Sequence, residues 1–306
     1  MKVLITGGAG FIGSHIADLL IQAGHAIVIV DDLSNGKEEN IHPKATFYPV
    51  SILDKTLPDI FKRESIDVVI HHAAQISVRD SVKDPLHDME INIKGSLVLL
   101  EQCNTCTIKK FIFASTGGAL YGEQDYFPAD ENHPTRPLSP YAIAKLSTEK
   151  YLSFYHNTHQ LPYVTLRYAN VYGPRQDPHG EAGVVAIFAQ RMLHGKQPTV
   201  NGDGNQTRDF VYVHDIARAN LLALESDFIG ELNIATGIET PINTIFQEIR
   251  DLLSPNTPEV HGPPMPGEQL RSVLSYEKAK SILGWEPTVP LVEGLKHTVT
   301  FFQNKG

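Results

Sequence analysis

The sequence predicts an α/β fold with a doubly wound parallel sheet and a smaller C-terminal lobe. Short β-branched segments alternate with helical stretches in the first half of the chain, at residues 3–6, 26–30, 47–50, 67–71, 111–115 and 163–168. Segment 27–30 is apolar at every position, which is typical of strands that helices cover on both faces. After about residue 168 turn-rich stretches become frequent, and they predict the smaller lobe.

Length and composition set the first limits. The 306 residues divide, on this pattern, into a larger domain over 1–167, which also receives 210–236, and a smaller lobe over 168–306. The 26 basic and 35 acidic residues give a net charge of −9, which would repel nucleic acid. No apolar run approaches the roughly 20 residues that span a bilayer, and the N-terminus lacks signal-peptide features. We therefore expect a cytoplasmic protein that binds neither nucleic acid nor membrane.

The cysteines and histidines do not predict a metal site. Cys103 and Cys106 have the spacing of a redox pair or half a zinc site, but no second pair accompanies them. We interpret them as packed or free thiols. The histidines at 71, 72, 156 and 159 lack a carboxylate or further histidine that would complete a ligand set.

The glycine-rich segment 6–13, Thr-Gly-Gly-Ala-Gly-Phe-Ile-Gly, follows the first strand and opens a helix. Gly7 permits the tight turn, Gly10 lets backbone N–H groups approach a pyrophosphate, and Gly13 lets the helix pack closely on the strand. The second strand ends at Asp31 and Asp32, 18 residues beyond Gly13, where a carboxylate can accept the hydroxyls of an adenosine ribose. The segment predicts a Rossmann-type domain that binds NAD rather than NADP.

A second motif, residues 139–145, predicts a helix that carries reactive groups. Ser139 is the expected N-cap and Pro140 the first helical residue. Tyr141 and Lys145 then share one face, where the ammonium favours the phenolate by lowering the phenol pKa. The strand 111–115 delivers Ser115 and Thr116 to the carboxyl edge of the sheet, where such folds bind ligands.

With these residues in place, the chain resembles the extended short-chain dehydrogenase/reductase superfamily and, within it, the UDP-glucose 4-epimerase (UDP-galactose 4-epimerase) group. The similarity covers nearly the whole chain. It rests on residues 6–13, His72-Ala73-Ala74, Asn92, Ser115-Thr116, Tyr141 with Lys145, and segments 167–174, 202–204, 208–210 and 283–287.

The resemblance implies NAD-dependent epimerisation at C4 of a nucleotide-diphosphate sugar, UDP-glucose and UDP-galactose or their N-acetylated counterparts. It implies that Tyr141, as phenolate, takes the proton of the sugar 4-hydroxyl while C4 transfers hydride to NAD⁺, and that Thr116 hydrogen-bonds the same oxygen. The 4-keto intermediate then rotates and receives the hydride on its other face, so NAD stays bound between turnovers. The resemblance also implies a homodimer built on a helix pair, one helix starting near Pro140.

The resemblance extends to binding residues. Catalysis is assigned to Thr116, Tyr141 and Lys145. The cofactor is expected to contact Gly7, Gly10, Phe11, Ile12, Asp31, Asp32, Ser51, Ile52, Ala73, Ala74, Gln75, Asn92, Lys145 and Tyr168. The substrate is expected to contact Ser115, Thr116, Tyr141, Asn170, Arg175, Val184, Val185, Asn201, Arg208 and Glu268.

Several positions depart from the pattern of the group. Ser51 replaces an aspartate that contacts adenine, Asn201 replaces an aromatic residue stacked on uracil, and Met265 replaces an arginine that pairs with the diphosphate. Ser272 is small where a bulky residue would narrow the sugar pocket, which suggests room for N-acetyl groups.

These departures keep alternatives open: an epimerase or dehydrogenase for a GDP-, dTDP- or CDP-linked sugar or for UDP-glucuronate, and a non-catalytic NAD-sensing protein. A 4,6-dehydratase needs an acid and a base beside Thr116, where the sequence has Gly117 and Gly118.

Overall fold

The computed structural model describes residues 1–178, 183–265 and 269–305. The strands are β1 (Lys2–Thr6), β2 (Ala26–Val30), β3 (Thr46–Tyr48), β4 (Val68–His71), β5 (Lys110–Thr116), β6 (Tyr163–Tyr168), β7 (Asn170–Tyr172), β8 (Val200–Asn201), β9 (Thr207–Arg208), β10 (Phe210–Tyr212), β11 (Gly230–Ile234), β12 (Thr240–Pro241) and β13 (His261–Gly262). The α-helices are α1 (Phe11–Gln22), α2 (Leu57–Glu64), α3 (Val78–Lys83), α4 (Pro85–Met89), α5 (Gly95–Thr105), α6 (Gly117–Leu120), α7 (Pro140–His159), α8 (Val184–Leu193), α9 (Val213–Glu225), α10 (Ile242–Leu253), α11 (Glu277–Leu283) and α12 (Leu291–Lys305).

In the described part of the chain, seven parallel strands form one sheet in the order β11-β6-β5-β4-β1-β2-β3. The strand order reverses between β1 and β4, and ligands of such sheets bind outside the carboxyl ends of the strands at this reversal. The predicted Rossmann-type α/β fold is therefore confirmed.

Two apolar cores cover the faces of the sheet, as the apolar strands predicted. On one face α1 and α9 pack through side chains such as Ile16, Leu20 and Ile216. On the other face α2, α5 and α7 pack through side chains such as Phe61 and Leu99. Burial on both faces explains why these strands lack alternating polar residues.

One strand boundary differs from the sequence prediction. The third strand ends at Tyr48 rather than at residue 50, because the N–H of Val50, which would be next to donate to β2, bonds the carbonyl of Tyr48 at 2.9 Å instead. The chain returns to the sheet as β11, inside the segment assigned to the larger domain, but Ala279 and Trp285 also lie in the core beside α1 and α9. The division of the chain into two domains stays a prediction.

The smaller lobe packs around its own core of α8, α10 and α12, with Phe188 and Phe246 in edge-to-face contact. Among the described residues no helix is long and apolar enough to cross a membrane, and the cytoplasmic location stays a prediction. Nor do the described histidines, cysteines and carboxylates form a group that could hold a metal ion.

Candidate active site

The glycine turn between β1 and α1 is built by close backbone approach. Gly7 has φ +70°, and an added Cβ there would lie 2.6 Å from the backbone N of Ala73. A Cβ on Gly13 would lie 2.3 Å from the carbonyl oxygen of Gly7. Gly10 is the N-cap of α1, and the N–H groups of the first helical turn, which includes Phe11 and Ile12, have no partners within the helix. The turn therefore presents a helix N-terminus suited to a phosphate.

Asp31 fixes this turn to the end of β2. Its Oδ2 accepts a hydrogen bond from the N–H of Ala9 at 2.9 Å, and its Oδ1 accepts one from Leu33 at 2.9 Å. Burial raises the pKa of this carboxyl group, while the two hydrogen bonds oppose that shift. Asp32 is exposed and accepts a hydrogen bond from Ser34 at 3.0 Å. Of the two acids, Asp31 is the one that lies against the glycine turn.

Ser51 and Ile52 follow β3 at the same edge of the sheet. The hydroxyl of Ser51 accepts a hydrogen bond from Leu53 at 3.3 Å. Ile52 is buried, and a Cβ on Gly95 would lie 2.4 Å from its Cδ1. Gly95 therefore allows Ile52 to pack against α5.

The segment after β4 is held by side chains from several elements. Thr6 Oγ1 accepts a hydrogen bond from the N–H of Ala73 at 3.2 Å. Asn92 contacts the backbone of Gln75 twice, accepting from its N–H at 3.0 Å and donating to its carbonyl at 2.9 Å. The structure therefore brings Asn92 into contact with the predicted segment 73–75, which is distant from it in sequence.

Tyr168 ends β6 next to this segment. Its hydroxyl lies 3.1 Å from Nε2 of His72 and accepts a hydrogen bond from Asn220 at 2.8 Å. Burial raises the pKa of the Tyr168 phenol and lowers the pKa of His72 to about 3. Both groups are therefore neutral at physiological pH.

Thr116 and Ser115 end β5 but point in different directions. Thr116 is the N-cap of α6, and its Oγ1 accepts a hydrogen bond from Ala119 at 3.3 Å. The hydroxyl of Ser115 is buried and donates to Glu149 Oε1 at 2.6 Å. Because successive side chains of a strand face opposite sides, the structure separates the Ser115 hydroxyl from that of Thr116.

The helix α7 begins as predicted, with Ser139 accepting a hydrogen bond from Ala142 at 3.2 Å and Pro140 in the first turn. Lys145 is buried, donates to the carbonyl of Ala114 at 2.9 Å, and lies 5.8 Å from the ring centroid of Tyr141. Burial lowers the pKa of Lys145 to about 8, against the opposing effect of nearby carboxylates. The predicted Tyr–Lys pair is therefore present at the edge of the sheet beside Thr116.

Sequence reasoning missed a buried ion pair beneath these groups. Arg167 Nη2 lies 2.6 Å from Glu149 Oε2 and its Nε donates to Glu149 Oε1 at 3.1 Å, with the side chains 7% and 2% exposed. Nη1 of Arg167 also donates to the Tyr121 hydroxyl at 3.0 Å. Glu149 lies four residues after Lys145, so helical spacing places the two side chains on the same face of α7. That spacing could have marked Glu149 as a residue near Lys145, but not as the partner of Arg167.

The predicted substrate residues lie mainly on the smaller lobe. An added Cβ on Gly118 would lie 3.6 Å from Asn170 Oδ1 and 4.0 Å from Thr116 Oγ1, so these two polar groups border the same space. Val184 and Val185 begin α8, with Val185 fully buried. Glu268 lies outside the described residues.

The two predicted arginines differ in their surroundings. Arg208 ends β9, where its Nη1 donates to the carbonyl of Thr207 at 2.8 Å. Arg175 forms an ion pair with Asp18 of α1, with Nη2 and Oδ2 at 2.8 Å. The ion pair with Asp18 therefore directs the Arg175 side chain toward α1.

Two of the departing residues share one cavity. Asn201 and Met265 line a cavity of about 790 Å³ between β8 and the segment after β13, together with Gln206 and Leu270. That volume lies within the range of small-molecule sites. Ser272 is 2% exposed and therefore does not open directly onto solvent.

Comparisons with known proteins agree with this geometry. Residues 3–235 match the model of the NAD dependent epimerase/dehydratase family. The chain is 42% identical to the UDP-glucose 4-epimerase of Mycolicibacterium smegmatis, over 100% of this chain and 99% of that protein. The structure of the Thermotoga maritima UDP-glucose 4-epimerase with UDP-glucose has a TM-score of 0.97 and 51% identity, covering 100% of this chain and 99% of that one.

A Thermus thermophilus UDP-glucose 4-epimerase in complex with NAD has a TM-score of 0.95 and 44% identity, with 100% of both chains covered. The family model covers well over half of the chain, and the glycine turn and the Tyr–Lys helix lie inside the matched residues. The predicted relationship is confirmed, and the chain belongs to the NAD dependent epimerase/dehydratase family.

Proposed function

We propose that this protein is an enzyme that uses NAD to epimerise a nucleotide-diphosphate sugar at C4, with UDP-glucose and UDP-galactose as its substrates. The observation that carries the proposal is the meeting of three features at one edge of the sheet. These are the glycine turn, the Thr116 hydroxyl and the Tyr141 phenol with its buried Lys145. The similar proteins from M. smegmatis and T. maritima, both named UDP-glucose 4-epimerase, support it.

The described residues fit NAD. The N-terminus of α1 suits the pyrophosphate. Gly10 leaves open space at this N-terminus, since an added Cβ would come close to the Gly7 oxygen, at 3.2 Å, and, chain neighbours apart, to no other described group within 4 Å. Each oxygen of Asp31 accepts one backbone hydrogen bond and keeps acceptor capacity for ribose hydroxyls. Its negative charge disfavours the 2′-phosphate of NADP. The segment after β4, residues 73–75, lies on the other side of the strand-order reversal from Asp31.

The residues of this chain would act as a proton-transfer unit. When bound, NAD supplies the hydride acceptor and donor for C4 of the sugar. Tyr141 would take the proton from the 4-hydroxyl and return it after the sugar has turned, while Thr116 hydrogen-bonds the same oxygen. The Lys145 ammonium favours the phenolate because an adjacent cation stabilises an anion, most strongly where water is excluded.

The smaller lobe would bind the nucleotide. The cavity containing Asn201 and Met265 is the proposed base site, and Arg208 is the proposed diphosphate ligand, since a planar guanidinium binds phosphate oxygens in a bidentate way. The proposed substrate contacts also include four residues at the lobe boundary, Asn170, Arg175, Val184 and Val185. With Asn201 in place of an aromatic ring, the cavity offers the base the amide of Asn201 and apolar contacts from Met265 and Leu270.

The structure also disfavours the dehydratase alternative. An added Cβ on Gly117 would lie 2.2 Å from Leu274 Cδ1, and Gly118 borders the space between Asn170 and Thr116 without carrying a functional group. The described residues therefore place neither an acid nor a base directly after Thr116, where removal of water from C5 and C6 would need them.

The test uses the purified protein without added cofactor. We expect it to convert UDP-glucose to UDP-galactose, and NMR monitors the configuration at C4. UDP-N-acetylglucosamine, UDP-glucuronate and GDP- and dTDP-sugars are tested as alternative substrates in separate reactions. Turnover of only a GDP- or dTDP-sugar would overturn the uridine assignment, and stoichiometric consumption of free NAD would identify a dehydrogenase. Tyr141→Phe should retain NAD, measured by release on denaturation, and lose conversion by at least about 10²-fold. A near-full rate would refute the role of the phenol.

We infer in addition that two copies of the chain pair through α7. Ile143, Tyr151 and Phe154 on this helix are 50%, 40% and 52% exposed, and Leu86 on the adjacent α4 is 74% exposed. Exposed apolar side chains on neighbouring helices are typical of a protein interface. This arrangement supports the homodimer that the sequence resemblance implies.

A further inference from the structure

Asp88 is a buried acid that the proposed reaction does not use. Asp88 lies in the short helix α4 and is 1% exposed. Its Oδ1 accepts a hydrogen bond from Nδ2 of Asn92 at 2.8 Å and another from Nε2 of Gln75 at 3.1 Å. A buried carboxylate is retained only where hydrogen bonds and opposite charge compensate its loss of water.

We propose that Asp88 is a positioning residue: its carboxylate holds the side chains of Asn92 and Gln75 in place, and its negative charge faces the Lys145 ammonium. The proposal rests on the function proposed above, because Asn92, Gln75 and Lys145 are the residues expected to contact NAD. It adds a residue that does not itself touch cofactor or substrate.

Hydrogen bonds hold Asn92 on two sides. Asn92 lies in a π-helical turn, Glu90–Lys94, which places its amide toward Asp88 and its carbonyl toward the catalytic helix. That carbonyl accepts hydrogen bonds from Ser96 at 2.6 Å and from Thr148 of α7 at 3.3 Å. Asn92 is thus held at its side-chain amide and at its backbone carbonyl. Asp88 holds the amide, on the side of Gln75. Loss of this contact would free the segment after β4.

The same network reaches the glycine turn. Ser96 Oγ lies 3.0 Å from Nε2 of His71, and Nδ1 of His71 lies 2.7 Å from Oγ1 of Thr6. Thr6 in turn accepts from the N–H of Ala73 at 3.2 Å. A continuous set of hydrogen bonds therefore links Asp88 through Asn92 to the end of β1, beside the cofactor turn.

Asp88 also acts on Lys145 through its charge. Asp88 and Glu149 are the two carboxylates that raise the pKa of Lys145, against burial that lowers it to about 8. The interaction is reciprocal, since Lys145 lowers the pKa of Asp88 while burial raises it. Glu149 also pairs with Arg167, whereas Asp88 has neutral amide partners. The titratable groups facing Lys145 from the packed elements are Asp88 of α4, Glu149 and Tyr141 of α7, and His71 and His72 at the end of β4.

The test compares Asp88→Asn, which keeps the shape and removes the charge, with Glu90→Gln. Glu90 lies two residues away but is exposed and pairs with Lys94 at 2.9 Å, so its replacement removes a nearby surface charge only. Protein labelled with [ε-¹³C]lysine reports the titration of Lys145 by NMR, and the resonance is assigned by its loss in Lys145→Met. Retention of NAD is measured as the rate of its release into buffer.

In Asp88→Asn we expect the Lys145 midpoint to fall by about one pH unit, because an opposing charge has been removed, and NAD release to accelerate about tenfold. Glu90→Gln should change neither quantity. An unchanged midpoint together with unchanged NAD release in folded Asp88→Asn would overturn the proposal. These readouts do not require turnover, so an inactive wild type would refute the proposed function alone.

A second variant keeps the test decisive if Asp88→Asn does not fold. Asp88→Glu keeps the negative charge and displaces the carboxylate by one methylene group from its contacts with Asn92 and Gln75. We expect it to accelerate NAD release while the Lys145 midpoint stays where it is in wild type. Unchanged NAD release in this variant would contradict the holding role of Asp88.

Discussion

The buried pair of Arg167 and Glu149 offers the sharpest test of how this active-site edge is stabilised. The perturbation is Glu149→Gln, which keeps the side-chain shape and removes the negative charge. The guanidinium of Arg167 would then stay buried beside a neutral amide. Burial lowers the pKa of Arg167, but pairing with Glu149 raises it above its ordinary value. In the variant the arginine still stays charged, because a guanidinium is not deprotonated in proteins.

The expected loss follows from burial. The two side chains are 7% and 2% exposed and joined by contacts of 2.6 Å and 3.1 Å. Breaking a buried pair by removing one partner costs about 3–5 kcal/mol, because the remaining charge is uncompensated. For a chain of this size about 2 °C of midpoint corresponds to each kcal/mol, so the thermal midpoint should fall by about 6–10 °C.

The matched control is a surface pair that is also bidentate, through the two terminal nitrogens of the arginine. Arg136 contacts the two oxygens of Asp125 at 2.6 Å and 2.8 Å, but these side chains are 51% and 48% exposed. Water and salt screen such a pair, so Asp125→Asn should leave the midpoint almost unchanged. Thermal unfolding followed by circular dichroism, at one NAD concentration, measures both variants.

Equal midpoints for the two variants would refute the argument that burial rather than geometry decides the strength of these pairs. A second comparison separates charge from packing. Replacing both Glu149 and Arg167 by methionine removes the two charges together, and its loss of stability should be smaller than that of Glu149→Gln. A double variant less stable than the single one would show that hydrogen bonds to Ser115 and Tyr121 matter more than the uncompensated charge.

Three further predictions follow from other contacts. Gly13→Ala should destabilise the protein by about 3 kcal/mol and weaken NAD binding, since its Cβ would meet the Gly7 carbonyl at 2.3 Å; unfolding with and without NAD checks this. Activity should fall as pH rises through about 8, because Lys145 loses its charge above that pKa; a kcat profile flat to pH 10 would contradict this role. The double variant Ile143→Glu with Phe154→Glu should sediment as a monomer, and an unchanged sedimentation coefficient would exclude α7 as the interface.

Local signals allowed much of the site to be predicted. The glycine turn, Asp31 at the end of β2, the Ser139 cap and the Tyr141–Lys145 spacing each depend on residues within one turn or one strand–turn–helix unit. Thr116 was predicted because it follows a strand of a parallel sheet, and ligands bind at the carboxyl ends of such strands. The alternation of strands and helices likewise predicted the sheet, whose topology is confirmed.

Contacts between distant segments decided the rest. Ser115 was expected at the substrate, but its partner Glu149 lies on another element, and the pairing of Glu149 with Arg167 joins a helix to a strand. No local pattern marks Asp88 as the acid facing Lys145.

The sequence by itself determined the order of strands and helices, the cofactor turn and the reactive pair on α7, because these follow from backbone conformation and from spacing along one element. Only the tertiary structure decided which buried charges compensate each other and which residues of the smaller lobe border the same cavity. The physical reason is that compensation of a buried charge depends on distance through space and on exclusion of water, and neither is encoded in separation along the chain.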